Sequence, residues 1–361
     1  MRKSLLAIFF GVAFLYHDSF FAPFYRDDWF FLKVQLPEDL VKPISDLHYL
    51  PISIQGFYWL MRTLFEYNVL AYHLFLFVGM LGVFFLVYIL AKDFLQSDKK
   101  ALVTTFFFAF NISLFAIFYW VAGMYFVLGP LFYLSANYFY LKRKIFFVFL
   151  FYLLAIGSNE IGYTLPGMLL LVSWYKNIWD KKLVILLVAN LLIFFARIKF
   201  LNFPVMDTYQ MKFDWHILKT IQWYLLRTLN LPEAIRLRAD PIILVSFGGF
   251  LATILFSVKK INPRLFIFGV SWFLIGGIPF YFLPFHLSSY YATLALFGIC
   301  LLLVELITDK RIIILSVLCY LVLSFTGLQF LKDTHWIIRK DIGWPGKFNH
   351  PSEIHESSLA N

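Results

Sequence analysis

The sequence predicts an all-α membrane protein: a polytopic bundle of about eleven helical spans, with interfacial helices in two long outer loops. Three observations carry this. Residues of the AVILMFWYC set make up 61% of the 361 residues against 14% charged, and the mean hydropathy is +0.77. A water-soluble domain is nearer half apolar and a quarter charged. Apolar runs long enough to approach a hydrocarbon thickness of about 30 Å recur along the chain. The short links after alternate runs are basic, and the intervening links are not. So few polar side chains exclude a soluble enzyme, a secreted disulfide scaffold and a disordered tail. The 46 Phe and 21 Tyr suit lipid-facing surfaces and interfacial belts.

The first run, 5–21, follows Arg2 and Lys3, but Phe20-Phe21-Ala22-Pro23-Phe24 offers no small-residue cleavage pattern. A retained first span is expected rather than a signal peptide. The next runs are 69–91, 101–119, 124–141, 145–157, 161–175, 183–201, 242–258, 265–282, 290–307 and 312–331. The runs at 145–157 and 161–175 are short, which leaves a re-entrant pair open.

Basic groups mark one side: Arg2/Lys3, Lys92/Lys99/Lys100, Lys142/Arg143/Lys144, Lys176/Lys181/Lys182, Lys259/Lys260/Arg264 and Lys310/Arg311, together 16 of the 31 Lys and Arg. With an odd number of crossings all six fall on one face, which the positive-inside rule makes cytoplasmic. The expected protein is therefore a multi-pass cell-membrane protein with a cytoplasmic N-terminus. Its membrane domain covers 1–331, with outer loops at 24–68 and 202–240 and a short extracytoplasmic tail at 332–361. Pro51 is placed to open an interfacial helix in the first loop, carrying Ile52, Ile54, Phe57, Leu60, Met61, Leu64 and Phe65. Asp214 is placed to cap another, with Ile217, Leu218, Ile221, Leu225 and Leu229 apolar against His216, Lys219, Gln222 and Arg227.

The formal charge of +10 sits mostly in short turns, not on a folded basic face, so nucleic acid is not an expected partner. Cys300 and Cys319 lie inside apolar runs, which gives neither a disulfide framework nor zinc spacing. No Walker or Rossmann glycine loop occurs.

Chemistry-bearing residues concentrate on the other side. Asp27 and Asp28 follow the first span among aromatics; a partly desolvated carboxylate there suits proton abstraction from a hydroxyl, and equally suits the cap of the next helix. Glu160 in Gly157-Ser158-Asn159-Glu160 stands between two apolar runs, where an ionisable group is a functional candidate or a loop cap. His286, Tyr290 and Tyr291 precede or open the tenth run and suit contact with a sugar or phosphate, or an ordinary interfacial belt. Arg197, Arg236 and Arg238 are cationic partners for a lipid phosphate, with Lys212, Lys219 and Arg227 in the same loop region.

In order and placement these elements resemble the membrane-embedded glycosyltransferases of the GT-C superfamily, nearest the protein O-mannosyltransferase-like and tetratricopeptide-associated mannosyltransferase-like members. The resemblance spans most of the membrane region. It rests on Asp27-Asp28 after the first span, His48-Tyr49-Leu50-Pro51, the aromatic helix that follows, and Ala71-Tyr72-His73-Leu74 at the start of the second span. Ser158-Asn159-Glu160 with Pro166 and the pair Tyr290-Tyr291 complete it. Asn159 stands where the family usually has Lys, Ser289 where many members have Arg, and the second His expected after His73 is replaced by the Gly79-Met80 region.

The resemblance implies inverting transfer of a sugar from a polyprenyl-phosphate-linked donor to an acceptor hydroxyl of a protein, lipid or glycan on the extracytoplasmic side. It implies Asp27 as general base, with Asp28 as the second choice or an orienting partner. Glu160, His48, Arg197, Arg236, Arg238, His286, Tyr290 and Tyr291 would line the donor site. No cofactor is required by the sequence; a divalent Mg or Mn ion, if used, would sit at Asp28 or Glu160. The competing classes are a lipid or sugar transporter or flippase, with Gly276-Gly277 and Pro279 as the best broken-helix candidate; a polysaccharide polymerase or ligase using the second outer loop; and a scaffold in which the acid pair is only a cap.

Overall fold

A computed structural model describes residues 2–42, 49–200, 209–233, 241–257, 262–307, 309–335 and 337. Among them the chain is helical, with no strand. In order the α-helices are α1 Arg2–Leu15, α2 Asp27–Phe31, α3 Phe57–Phe65, α4 Val69–Leu95, α5 Asp98–Ala109, α6 Phe115–Tyr119, α7 Tyr125–Leu141 and α8 Ile145–Ile156. They continue as α9 Leu165–Lys176, α10 Lys182–Phe200, α11 His216–Thr228, α12 Pro241–Ser257, α13 Pro263–Tyr281, α14 Thr293–Leu306 and α15 Lys310–Thr334.

Within the described residues, each apolar run of the sequence falls mainly on helix. Among the described residues, four helical segments are long and apolar enough to cross a membrane on their own: Val69–Leu95, Pro263–Tyr281, Ser289–Leu306 and Lys310–Thr334. The pair Asp98–Ala109 and Ile112–Tyr119, bent by 50°, makes a fifth. The shorter helices fall below that length for a geometric reason. At 1.5 Å per residue, the 12 residues of α8 or α9 reach only about 18 Å.

α14 is the central helix, buried over nearly its whole length and packed closely against α13. Small residues permit that approach: a Cβ at Gly298 would meet Phe273 N at 2.8 Å, and one at Gly276 would meet Ala295 N at 2.9 Å. α13 runs unbroken through Gly276-Gly277 and Pro279. The break lies instead at residues 110–111, between α5 and α6. There the freed groups are taken up by protein: Asn111 donates to Thr228 O at 3.0 Å and to the Tyr320 hydroxyl at 2.7 Å, and Asn230 accepts from Ile112 N at 2.6 Å. Backbone that leaves the helix inside an apolar bundle requires such partners. Asn111 is fully buried in this joint.

The outside is apolar. Phe10, Phe146, Val245, Leu255 and Phe256 are all largely exposed, a surface suited to lipid rather than water. One end of the bundle gathers the lysines. Asp93 has Lys142 at 3.5 Å and Lys176 at 3.6 Å, Asp98 has Lys92 at 2.8 Å, and Glu305 has Lys100 at 2.5 Å. Arg264 donates to Trp174 O and Asn177 Oδ1 at 2.5 and 2.6 Å. These contacts tie the ends of α4, α7, α9, α13 and α14 together at this lysine end.

The two helices expected in the outer loops are present. A π-helical turn, Pro51–Gly56, leads into α3, which buries Phe57, Tyr58 and Met61 and exposes Leu60, Leu64 and Phe65. Asp214 accepts from His216 N at 2.9 Å at the start of α11. α11 buries Thr220, Tyr224, Arg227 and Thr228 and turns Leu218 and Leu225 outward. An apolar face turned away from the protein is the arrangement of a helix lying in a membrane surface.

Candidate active site

The acid pair is positioned by the segment between α1 and α2. A 3₁₀ turn, His17–Phe21, ends α1, and His73 of α4 holds the next residue, its Nε2 2.8 Å from Ala22 O. Tyr72, its neighbour, donates to Glu66 O at 2.9 Å at the far end of the same loop. Trp29 donates to Phe24 O at 3.1 Å. Arg26, immediately before the pair, has φ 41° and ψ −100°, a backbone state that side chains other than glycine adopt at a cost.

The structure separates the two aspartates. Asp28 is fully buried. Its Oδ2 accepts from Tyr25 N at 2.8 Å; its Oδ1 accepts from Ala122 N at 2.5 Å and the Tyr58 hydroxyl at 3.1 Å. Burial pushes this carboxyl up to about 7, against the lowering effect of those donors. Asp28 thus joins α2 to α3 and to the turn Val121–Met124. Asp27, the first residue of α2, is exposed. Only Asp27 of the pair is open to its surroundings.

The loop is then stapled to the segment carrying Glu160. Ile52 N donates to Gly157 O at 2.9 Å, and Ser53 Oγ donates to Ser158 O at 2.6 Å. Asn159 accepts from Ile161 N at 2.9 Å and donates to Tyr125 O at 3.2 Å, which sets the turn on which Glu160 begins. Gly129 faces this turn, where a Cβ would stand 2.6 Å from Asn159 Cβ. Glu160 Oε1 accepts from Arg197 at 2.9 Å, and the guanidinium lies 5.8 Å from the Tyr163 ring centre.

Aromatic rings connect Glu160 and the acid pair. Tyr209 packs on His286 with ring centres 4.3 Å apart, and His286 lies 5.7 Å from Tyr291. Tyr290 is 4.8 Å from Phe126 and 5.9 Å from Trp120. Tyr291 stacks on Phe280 at 4.2 Å. Tyr125 and Tyr209 each lie within electrostatic reach of both Asp27 and Glu160. Burial pushes the Tyr209 phenol up, and the two carboxylates push it further. Beside this group is a small apolar niche lined by Phe126, Pro130, Ile161, Phe280, Tyr291 and Leu294, among others.

Asp27, Asp28, Glu160, Arg197, His286, Tyr290 and Tyr291 therefore fall in one neighbourhood, linked through Tyr125 and Tyr209. His48, Arg236 and Arg238 lie outside the described residues. Arg227 is committed elsewhere: it is buried and donates to Leu231 O and Pro232 O at 3.1 and 2.5 Å. Glu233 accepts from Ser289 N and from His335, at 3.1 Å for the latter, and so anchors the turn that carries Tyr290 and Tyr291. Burial pushes the Glu233 carboxyl up, but the His335 and Ser289 contacts outweigh it and hold it below its usual range.

Sequence reasoning missed Tyr58, Ala122, Tyr125 and Tyr209. The first was legible only as a buried position of an amphipathic helix, and a backbone amide such as that of Ala122 leaves no residue signature. Among the described residues no three His, Cys, Asp or Glu side chains converge as metal ligands. No known protein family, curated protein or solved structure matches the chain.

Proposed function

We propose that this chain is an integral-membrane glycosyltransferase that moves a sugar from a polyprenyl-phosphate-linked donor to an acceptor hydroxyl. In this reading the eleven apolar runs all cross the bilayer, the short helices α8 and α9 locally thinning or sharing it. The lysine end faces the cytoplasm with the N-terminus, and the acid-pair end faces the extracytoplasmic side of the cell membrane.

The observation that carries the reading is the division of labour in the acid pair. Asp28 is sealed and tied at three points, so its exposed neighbour Asp27 is held on a fixed backbone, within electrostatic reach of Tyr125 and Tyr209, as Glu160 is. Asp27 takes the proton from the acceptor hydroxyl as that oxygen bonds to the anomeric carbon. The bond from that carbon to the phosphate oxygen breaks with inversion, and polyprenyl phosphate leaves with the electron pair. Arg197, beside Glu160, is the cation assigned to the phosphate, and a guanidinium meets phosphate oxygens in pairs. The aromatic rings suit the apolar faces of a sugar. The acceptor is a protein, lipid or glycan hydroxyl.

The three N–H and O–H donors on Asp28 argue against a Mg or Mn ion there. Glu160 is paired with Arg197. No step is routed through a metal.

The transporter reading draws on the bend at 110–111, but the polar groups there are occupied by Asn230, Thr228 and Tyr320, which argues for a joint rather than an ion site. The purified full-length chain, given a polyprenyl-phosphate donor with a radiolabelled sugar and a membrane extract as acceptor source, should transfer label. A donor that stays intact across several polyprenyl-linked sugars would remove the transferase reading and leave the scaffold.

A further inference from the structure

α10 is packed unevenly along its length. Near the lysine end Leu183 and Leu186 are buried to 1% and 0% exposure. Past Leu186 no described residue of the helix is buried, and Leu191, Leu192 and Phe195 are more than half exposed. α13, by contrast, buries positions along its whole length, from Leu265 to Tyr281.

The stripe of α10 that faces the bundle runs through residues 186, 190, 193 and 197, the spacing of one helix face. Two of its members are polar clasps. Asn190 accepts from the Tyr152 hydroxyl at 2.9 Å, and Arg197 donates to Glu160 at 2.9 Å. The remaining ring contact is Phe194 on Tyr163, with centres 5.5 Å apart. The outermost clasp is partly open to solvent, with side chains 21% and 42% exposed. Such pairs hold weakly, and the Arg197 fork suits a phosphate as well as a carboxylate. Ile161, next to Glu160, lines the apolar niche.

We infer that α10 is a lateral gate: a phosphate group takes Arg197 from Glu160, and the outer half of the helix swings away about Leu183 and Leu186, opening the turn that carries Glu160 and Tyr163 to the lipid phase. A phosphate that binds Arg197 only in the released state shifts the helix toward that state by its differential affinity. The identity of the ligand rests on the proposed function; the latch itself does not.

Double electron–electron resonance on the full chain in nanodiscs tests it. Nitroxides go on Ile198→Cys and Leu153→Cys, with Val184→Cys and Leu153→Cys as the inner-half control. Cys319→Ala removes the partly exposed native thiol, and Cys300, fully buried, stays. Glu160→Gln and, separately, Arg197→Gln should move the 153–198 distance outward by at least about 5 Å, the scale of one helical turn. The 153–184 distance should stay fixed. Undecaprenyl phosphate and inorganic phosphate are then added to the unmutated clasp. Opening by the lipid alone assigns a lipid-borne phosphate, and opening by both assigns the phosphate group without its lipid. Opening by neither overturns the phosphate trigger, and 153–198 distances unchanged in both clasp variants overturn the gate. A failed sugar-transfer assay would leave these distances untouched, so the two readings fail separately.

Discussion

At the lysine end Asp93, Asp98 and Glu305 each meet a lysine between 2.5 and 3.6 Å, and the pairs are partly open to solvent. At the acid-pair end Asp28 meets two backbone amides and a phenol, fully out of solvent. The first arrangement neutralises charge and sews loops together, and each such exposed pair contributes about 0–1 kcal/mol. The second fixes one carboxylate by dipoles, which costs desolvation but holds the backbone of its neighbour in one geometry. The difference teaches where chemistry is to be sought: charge-balanced pairs are fastenings, and a carboxylate presented beside aromatic rings on a fastened loop is available for work.

The largest effect that can break the comparison is at Asp27. Asp27→Asn keeps the shape and removes the base, so transfer should fall about 10²- to 10⁴-fold with an unchanged thermal midpoint. Full activity in this variant would return Asp27 to the role of a helix-start residue.

Next in size is Asp28. In Asp28→Asn one amide N–H must face another donor, so a destabilisation of about 1–3 kcal/mol is expected, read as a lower thermal midpoint in detergent. The pH dependence sharpens this. The folded carboxyl titrates near 7 rather than at its ordinary 3.8 because burial disfavours the charged form. The folded chain therefore holds this proton more tightly than the unfolded chain. Its contribution is fully present below about pH 4 and is lost as pH rises through about 7. Thermal midpoints of the wild type should fall between pH 5 and 8 by more than those of Asp28→Asn. Equal slopes would remove Asp28 as the titrating group.

The smallest effect belongs to the lysine end. Lys142→Ala leaves Asp93 with Lys176 at 3.6 Å, so the loss should stay within about 1 kcal/mol and transfer should be unaltered. A loss as large as that of Asp28→Asn would erase the contrast between the ends.

Much of the architecture was legible because apolar runs and basic links are composition signals. Within the described residues the runs lie mainly on helix, and basic links that the positive-inside rule places on one face meet in space, as Lys92, Lys100, Lys142 and Lys176 show. Glu160 and Arg197, singled out separately, prove to be partners. The bend at 110–111 was not legible, since Phe107 to Phe118 stays almost wholly apolar through it and the residues that satisfy it come from the end of α11, from Asn230 just past it and from α15. The burial of Arg227 was not legible for a related reason. The sequence places Arg227 on its polar side, but Leu231 O and Pro232 O draw that arginine inward. In lipid the outward face is the apolar one. The split between Asp27 and Asp28 was illegible because two of the three donors to Asp28 are backbone amides.

The most direct measurement is carboxylate accessibility. A water-soluble carbodiimide with an amine nucleophile, applied to the folded chain and read by peptide mass spectrometry, should modify Asp27 and spare Asp28, and undecaprenyl phosphate should protect Asp27. Modification of Asp28, or labelling of Asp27 that is indifferent to the lipid, would contradict the account.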